Sequence, residues 1–236
     1  YDAGSMGEPE IVGRRISALL WSRGIKRLDR LLVSHADTDH YNAVPYLLDR
    51  FSVQSIGLPT PMMKRLATDC LDLHQAVSLK QCAMVPLQSG DSWRLAGGVY
   101  VQVVHPPADG VVGTDNANSL VLVVEYRGER ILLPGDLEGV GLEDLLATKP
   151  ISCSVLMAPH HGSLHSDPKR MAAWSHPKRV IISSGQKPGH RQVVTEYRAA
   201  SADVWSTTVH GAVTISIDAT GTRVTPWCPQ SIGSGR

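Results

Sequence analysis

The chain has 236 residues, 42% hydrophobic and 19% charged, a balance that fits a folded globular protein and excludes a disordered or collagen-like one. Its formal net charge is +1, so no global field draws it to nucleic acid or an anionic membrane, and any such attraction must be local. No run approaches the ~18 apolar residues a membrane helix needs, no apolar signal segment follows the opening "YDAGSMGEPE", and a start on Tyr is the start expected of a fragment of something longer.

With a single Phe, the core must be built from Val, Leu, Ile and Ala. Five tryptophans are scattered and expected to pack the sheets, without a base-stacking platform. Cys70, Cys82, Cys153 and Cys228 form no C-x-x-C pair, which argues against a zinc knuckle or a disulfide scaffold; four independent, mostly buried thiols are expected.

Taken in chain order, "PEIVGRRISALLWSRG" reads as a helix, with Ile11, Val12, Ile16, Leu19 and Leu20 at helical spacing and Gly24 as its stop. A strand follows over Leu28–Ser34, then a polar loop, then a helix in "YNAVPYLLDRF" started or broken at Pro45. "VQSIGLP" reads as a strand and residues 62 to 83 as helical. "GGVYVQVVHPP" and "SLVLVVEYRGERILLPGD" are rich in Val, Leu and Ile, and Arg127-Gly128 marks a β-hairpin in the second. "LEDLLATK", "DPKRMAAWS" and "RQVVTEYRAAS" read as helices, "SVLMAPHHG" and "KRVIISSG" as strands, and 202–227 as a closing meander. This order implies one α/β domain over 1–228, two sheets with helices outside, and a loose tail at 229–236.

The ends of four predicted strands collect chemistry. The first ends in His35, Asp37, Asp39 and His40, the hairpin's second strand in Gly135-Asp136, the next in His160-His161, and the last runs through "GQKPGH" to His190. A carboxylate after a strand is by itself a helix cap or turn residue. Four placements together point to a site, because α/β sheets gather their sites at strand C-terminal edges, and imidazole with carboxylate is the ligand set of catalytic zinc, iron and manganese. Alternate residues of an extended turn face one side, so His35 and Asp37 suit one metal, Asp39 and His40 a second, and Asp136 a shared bridge.

H-x-D-x-D-H at 35–40, a strand ending in G-D, and H-H-G-S at 160–163 resemble the metallo-β-lactamase fold. More closely they are similar to the C-terminal domain of the ComEC/Rec2 competence proteins, which take up DNA. "DAG" at 2–4, "RGIKRLDRLLVSHADTDH", "NANSLVLVVEYRGERILLPGD", "VLMAPHHGSLHS", "VIISSG" and Gly189-His190 match in the family's order over nearly the whole chain. The resemblance implies a four-layer αββα sandwich with its metal site between the sheets, lacking the family's first strand. It implies metal ligation by His35, Asp37, Asp39, His40, Asp136 and His160, with His190 as a further ligand or acid.

Three departures stand out. Asn42-Ala43 replace the family's Gly-Gly, "GHR" replaces G-H-P, and Asn116 or Asn118 stands where many members place a histidine before the G-D strand. Asp37, where dinuclear zinc enzymes often have His, enriches the site in oxygen and favours a harder ion. The expectation is therefore one or two divalent ions, Mn²⁺ or Zn²⁺.

The implied activity is a metal-dependent phosphodiesterase, a nuclease acting on DNA during competence. Asp37 or Asp39 would orient or deprotonate a water, and His161 or His190 would protonate the leaving oxygen or hold a phosphate oxygen. Ser163 has either a phosphate contact or a turn role. Lys169, Arg170, Lys178, Arg179, Lys187 and Arg191 are candidates to neutralise phosphates, Lys187 and Arg191 foremost. The expected partners are the backbone of single-stranded DNA and a membrane channel domain of the parent protein, on the extracytoplasmic face of the bacterial inner membrane. The alternatives are hydrolysis of a small ester, thioester or phosphoester, or a non-catalytic module that guides DNA.

Overall fold

Pro9 opens the first helix, α1 (Pro9–Ser22), where its fixed φ suits the first turn. Gly24 follows with a φ of +72°, a left-handed stop that a side chain would strain. The structure is a computed structural model describing residues 1–185 and 189–228. Among these, no helix is long and apolar enough to cross a membrane.

The first sheet holds β1 (Arg27–Leu32), β2 (Ser52–Pro59) and β3 (Ala83–Leu87), parallel and in that order. Its crossovers carry α2 (Thr38–Tyr41) and α3 (Val44–Arg50), then α4 (Thr60–Asp69) and α5 (Leu71–Leu79). The second sheet adds β4 (Ser92–Arg94), β5 (Tyr100–His105), β6 (Val121–Tyr126), β7 (Glu129–Leu133), β8 (Val155–Met157), β9 (Arg179–Ile182) and β10 (Asp203–Ser206). Its seven strands run in reverse chain order from β10 to β4, antiparallel from β4 to β7 and parallel from β7 to β10. The remaining helices are α6 (Gly139–Leu146), α7 (Pro168–Ser175), α8 (His190–Ala199) and α9 (Thr207–His210), and β11 (Val213–Asp218) pairs with β12 (Gly221–Pro226) as a separate hairpin.

Four layers follow from where the apolar side chains go. Leu87, Val101, Val103, Leu120 and Leu122 pack between the sheets. Leu31, Val33, Ile56 and Leu58 face helices on one outside, and Val121, Val123, Leu132 and Leu156 on the other. β6 and its lead-in thus send successive residues to opposite faces, both buried, which is why that segment reads as one continuous apolar run. Gly57 lies on the inter-sheet face, where a Cβ would come 2.5 Å from Leu32 and 2.7 Å from Leu87. Arg127 and Gly128 turn with φ of +52° and +78°, the type I′ hairpin the sequence signals.

Several expectations are corrected. Residues 62 to 83 do not form one helix: the backbone leaves helical geometry at Cys70, and β3 begins at Ala83. β3 carries Pro86 as an edge strand, where a proline costs no ladder bond. β10 joins the large sheet in parallel with β9 instead of opening a meander. α1 packs through Gly13, Ile16, Ser17 and Leu20, leaving Ile11 and Leu19 exposed, because Gly13 lets the Tyr46 ring approach the backbone. Of the tryptophans, Trp174 is buried and Trp227 exposed, and all four cysteines are free. The expected tail at 229–236 lies outside the described residues.

α6 rests on a 3₁₀ turn at Asn116–Asn118, where a Cβ on Gly141 would fall 1.9 Å from the Ala117 carbonyl oxygen. Gly141→Ala must therefore push α6 off this turn. It is expected to lower the unfolding free energy in urea by about 1–3 kcal/mol, while Val140→Ala, at an exposed neighbour, stays within ~0.5 kcal/mol of the wild type.

Candidate metal centre

The site begins where β1 ends. Ser34 leaves the first sheet and bonds the second: the Leu120 amide donates to its carbonyl at 2.7 Å. The opening D-A-G segment runs beside this crossing. Its backbone exchanges bonds with Leu32 (2.8 Å), His40 (2.8 Å) and Ala43 (3.0 Å), and a Cβ on Gly4 would sit 2.5 Å from the Asp39 carbonyl oxygen. Asp2 then reaches into the site. It accepts from the Ser34 amide at 2.7 Å, and its other oxygen lies 3.0 Å from His40 Nδ1.

Asp37 occupies the N-cap position of α2, yet its side chain makes no capping bond. Its carboxylate instead lies 3.4 Å from His35 Nε2. From the second sheet, Gly135 turns with a φ of +58° to carry Asp136 beneath the loop, where the Asp136 amide donates to Ser119 Oγ at 3.2 Å. After β8, His160, His161 and Gly162 all take left-handed φ values of +49°, +54° and +75°. Two consecutive non-glycine residues there cost energy that a fold retains only where the surroundings impose it. The turn sends both imidazoles toward Asp136.

The four imidazoles share one arrangement. His35 Nδ1 lies 2.8 Å from Ser34 Oγ, His40 Nδ1 3.0 Å from Asp2, His160 Nδ1 2.7 Å from Glu138, and His161 Nδ1 3.0 Å from the Ser183 carbonyl. A carboxylate or carbonyl only accepts, so Nδ1 of His40, His160 and His161 carries the hydrogen. Each Nε2 then turns toward the carboxylates. His40 Nε2 is 3.3 Å from Asp136 Oδ1, while His160 and His161 Nε2 are 3.7 and 3.5 Å from Asp136 Oδ2. His161 Nε2 is also 3.5 Å from Asp39.

Nε2 of His35, His40 and His161 is buried with no hydrogen-bond partner. Orphaned, parallel-aimed nitrogens beside carboxylates are costly in a finished core and suit a cation. Two groups bring their ligand atoms within 4.8 Å of one another: His35, His40 and Asp136, and Asp39, His40 and His161. Each has the two-histidine, one-carboxylate composition of catalytic metal sites. A cavity of about 400 Å³, lined by Tyr1, Asp39, His40, Asp136, His161 and Ser183, opens onto them.

Charge follows from this packing. Burial alone would lower the His40 pKa, but the Asp136 and Asp2 carboxylates on its two sides outweigh that and push it up to about 10. Burial opposes ionisation of Asp136 too, and the His40, His161 and His35 rings outweigh it, holding its carboxyl below the usual value. His35 holds the Asp37 carboxyl low in the same way.

Not every candidate converges here. His190 begins α8, and among the described residues no hydrogen bond or ion pair joins it to this cluster. Arg191 is beside it on α8, and Lys187 lies outside the described residues. Ser163 Oγ accepts from the His165 amide, a turn role. Lys178 and Arg179 sit at the start of β9, the edge away from the site, and Arg170 is held by Glu143 at 2.5 and 2.8 Å. Asn118 closes the 111–118 loop, while Asn116 donates to Glu138 at 3.1 Å. His105 is buried and donates from Nε2 to the Ala117 carbonyl at 2.8 Å, supporting the same turn. Sequence reasoning missed Asp2 and Glu138 as site residues. Asp2 stood in the quoted D-A-G; Glu138 carried no signal beyond lying two residues after Asp136.

A family model of the Metallo-beta-lactamase superfamily matches residues 1–201. The chain is 28% identical over 214 residues to ComE operon protein 3 of Bacillus subtilis, covering 89% of this chain and 26% of that protein. It is 28% identical over 244 aligned residues to Recombination protein 2 of Haemophilus influenzae, covering 99% and 28%. The chain thus spans about a quarter of the length of these relatives. A structure described as a metal-dependent hydrolase of Parabacteroides distasonis superposes with a TM-score of 0.50 at 14% identity, covering 78% of each chain, a likeness of fold.

A metal and a proton compete for His40 Nε2. In protein stripped of metal by a chelator, the folded His40 holds its proton more tightly than the unfolded one, with a pKa of about 10 against 6.5. That contribution to stability is complete below pH ~6.5 and lost as pH rises through ~10. Stripped protein should therefore lose stability between pH 7 and 10, and His40→Gln should flatten that slope. Ion uptake at pH 8 should release about one proton from this residue, read by calorimetry in buffers of different ionisation enthalpy.

Proposed function

The chain belongs to the metallo-beta-lactamase superfamily, and from that premise we propose that it is a metal-dependent hydrolase that cleaves phosphodiester bonds of DNA. The carrying observation is the inward set of orphaned Nε2 atoms around Asp136 and Asp39. His35, His40 and Asp136 would hold one ion; Asp39 and His161, with the second oxygen of Asp136, would hold another. The two oxygens of Asp136 face different histidines, which supports a bridging role. Asp37 belongs to neither close group, so the donor set is richer in nitrogen than the sequence suggested, and this favours Zn²⁺ over Mn²⁺.

A divalent ion there supplies Lewis acidity toward a phosphoryl oxygen and acidifies water. The chain's own residues do the rest. Asp37, half exposed and 3.4 Å from His35, would orient an attacking water. His160, its Nδ1 hydrogen held by Glu138, would give the leaving oxygen a proton from Nε2 when both ring nitrogens are protonated. His161, which sequence reasoning cast as the acid, takes the ligand's part, because its ring nitrogen groups with ligand atoms of Asp39 and His40 and that of His160 does not.

DNA as substrate is supported by the two relatives, one of them named for recombination. By the same likeness the chain would be one part of a longer membrane-bound protein, working beside its channel domain on the extracytoplasmic face. A second reading, hydrolysis of a small ester, thioester or phosphoester, is favoured by one observation: Arg170, Lys178 and Arg179 do not line the cleft.

A screen of Zn²⁺, Mn²⁺ and Mg²⁺ on end-labelled single- and double-stranded DNA and on small esters decides between them. Cleavage of DNA is expected with at least one ion, and Asp136→Asn or His40→Ala should reduce it by at least ~100-fold. Wild-type cleavage by both variants, or turnover of small esters alone, would overturn this reading.

A further inference from the structure

A groove of about 880 Å³ lies apart from the metal cavity, between α8 and the β10–α9 junction. One wall carries Arg191, Thr195 and Arg198, and the other Ser206, Thr208 and His210; no Asp or Glu lines it. Arg191 and Arg198 are seven residues apart, so they share one stripe of α8 and lie ~10 Å apart along it. Among the described residues neither pairs with a carboxylate, whereas Arg170 on α7 is fully engaged by Glu143.

The polar groups sort into committed and free. Thr195 Oγ1 donates to the Arg191 carbonyl and Thr208 Oγ1 to the Ser184 carbonyl. Ser206, only 4% exposed, has a hydroxyl with no partner. His210 is anchored through Nδ1 to the Ser206 backbone and stacks on Trp205 at 4.9 Å, and no hydrogen bond among the described residues engages its Nε2. Two guanidinium groups without a carboxylate partner, together with an imidazole whose Nε2 no bond engages, are donors that suit an anion.

One short stretch of chain connects the groove to the metal centre. Ser183 takes the hydrogen bond of His161 on one side, and Ser184 takes those of Thr207 and Thr208 on the other. We propose that this groove is the track by which a single nucleic-acid strand passes to or from the metal centre, its phosphates held by Arg191, Arg198 and His210. The inference rests on the reading of DNA as the substrate. Cations spaced ~10 Å apart match a repeating anion, about three steps of a stacked strand at ~3.4 Å each, better than a lone phosphate. A concave channel with its donors on facing walls fits a strand better than a lipid surface.

The test is fluorescence anisotropy with a labelled single strand of about 12 nucleotides, its linkages phosphorothioate so that charge stays and cleavage slows. Arg198→Gln should weaken binding about tenfold and reduce the slope of log affinity against log salt by about 0.7. Lys178→Gln, before the N-terminal end of β9 and outside the groove lining, should change neither. Wild-type affinity and salt slope in Arg198→Gln would overturn the proposal, as would Arg198-dependent binding to vesicles one-third phosphatidylglycerol without such binding to the strand. DNA cleavage measured in parallel separates the two readings. Cleavage with strand binding indifferent to Arg198 overturns the groove alone. Arg198-dependent binding with no cleavage under any ion supports the groove and overturns the phosphodiesterase.

Discussion

Everything at this site depends on how the Nδ1 side of each histidine is held. Asp2, Ser34, Glu138 and the Ser183 carbonyl grip four imidazoles from outside, and the grip leaves each Nε2 pointing at Asp136 or its neighbours. Without it the rings would rotate to satisfy both nitrogens, and no preformed ion site would exist. The cost is visible: three buried nitrogens have no hydrogen-bond partner, and two non-glycine residues sit at positive φ. Outer partners of this kind set tautomer and orientation in metal proteins generally. Here they come from four separate stretches of chain, so the fold as a whole fixes the proton positions.

The two sheets make that convergence possible. His35, Asp37, Asp39 and His40 follow the first strand of the small sheet, while Asp136, His160 and His161 follow adjacent strands of the large one. The Leu120–Ser34 hydrogen bond ties the two edges together beside the ligands. The core between the sheets, with Gly57 giving room for Leu32 and Leu87, sets their separation. A change in that core should therefore shift the distance between the two ligand arms before it unfolds the protein, because close-packed interiors transmit strain.

Much of this was legible from local sequence. Strand C-terminal edges bearing His and Asp and the Arg127-Gly128 hairpin follow from patterns that extend over only a few residues, while the αββα layering came from the family resemblance. Other features were hidden because their causes are distant in sequence. The role of Glu138 depends on His160, 22 residues away, and that of Asp2 on His40, 38 residues away. Ion pairing likewise removes Arg170 from the cleft through Glu143, 27 residues before it. β3 goes unassigned in the sequence reading beyond residue 83, and the edge position that lets it hold Pro86 is a property of the assembled sheet.

The distribution of basic residues shows what charge counting alone misses. "DPKR", "HPKR" and "GHR" look equivalent as short basic runs. In the fold, the first loses Arg170 to an ion pair and the second lies at the wrong end of β9. The third begins α8, whose second arginine, Arg198, comes onto the same stripe two turns later. A net charge of +1 is thus compatible with a local anion track, since helical periodicity aligns two cations that pairing leaves free. On the proposed reading the metal centre and this groove would divide the work on a polyanionic substrate: fixed nitrogens and carboxylates at the scissile position, and unpaired guanidinium groups along the strand.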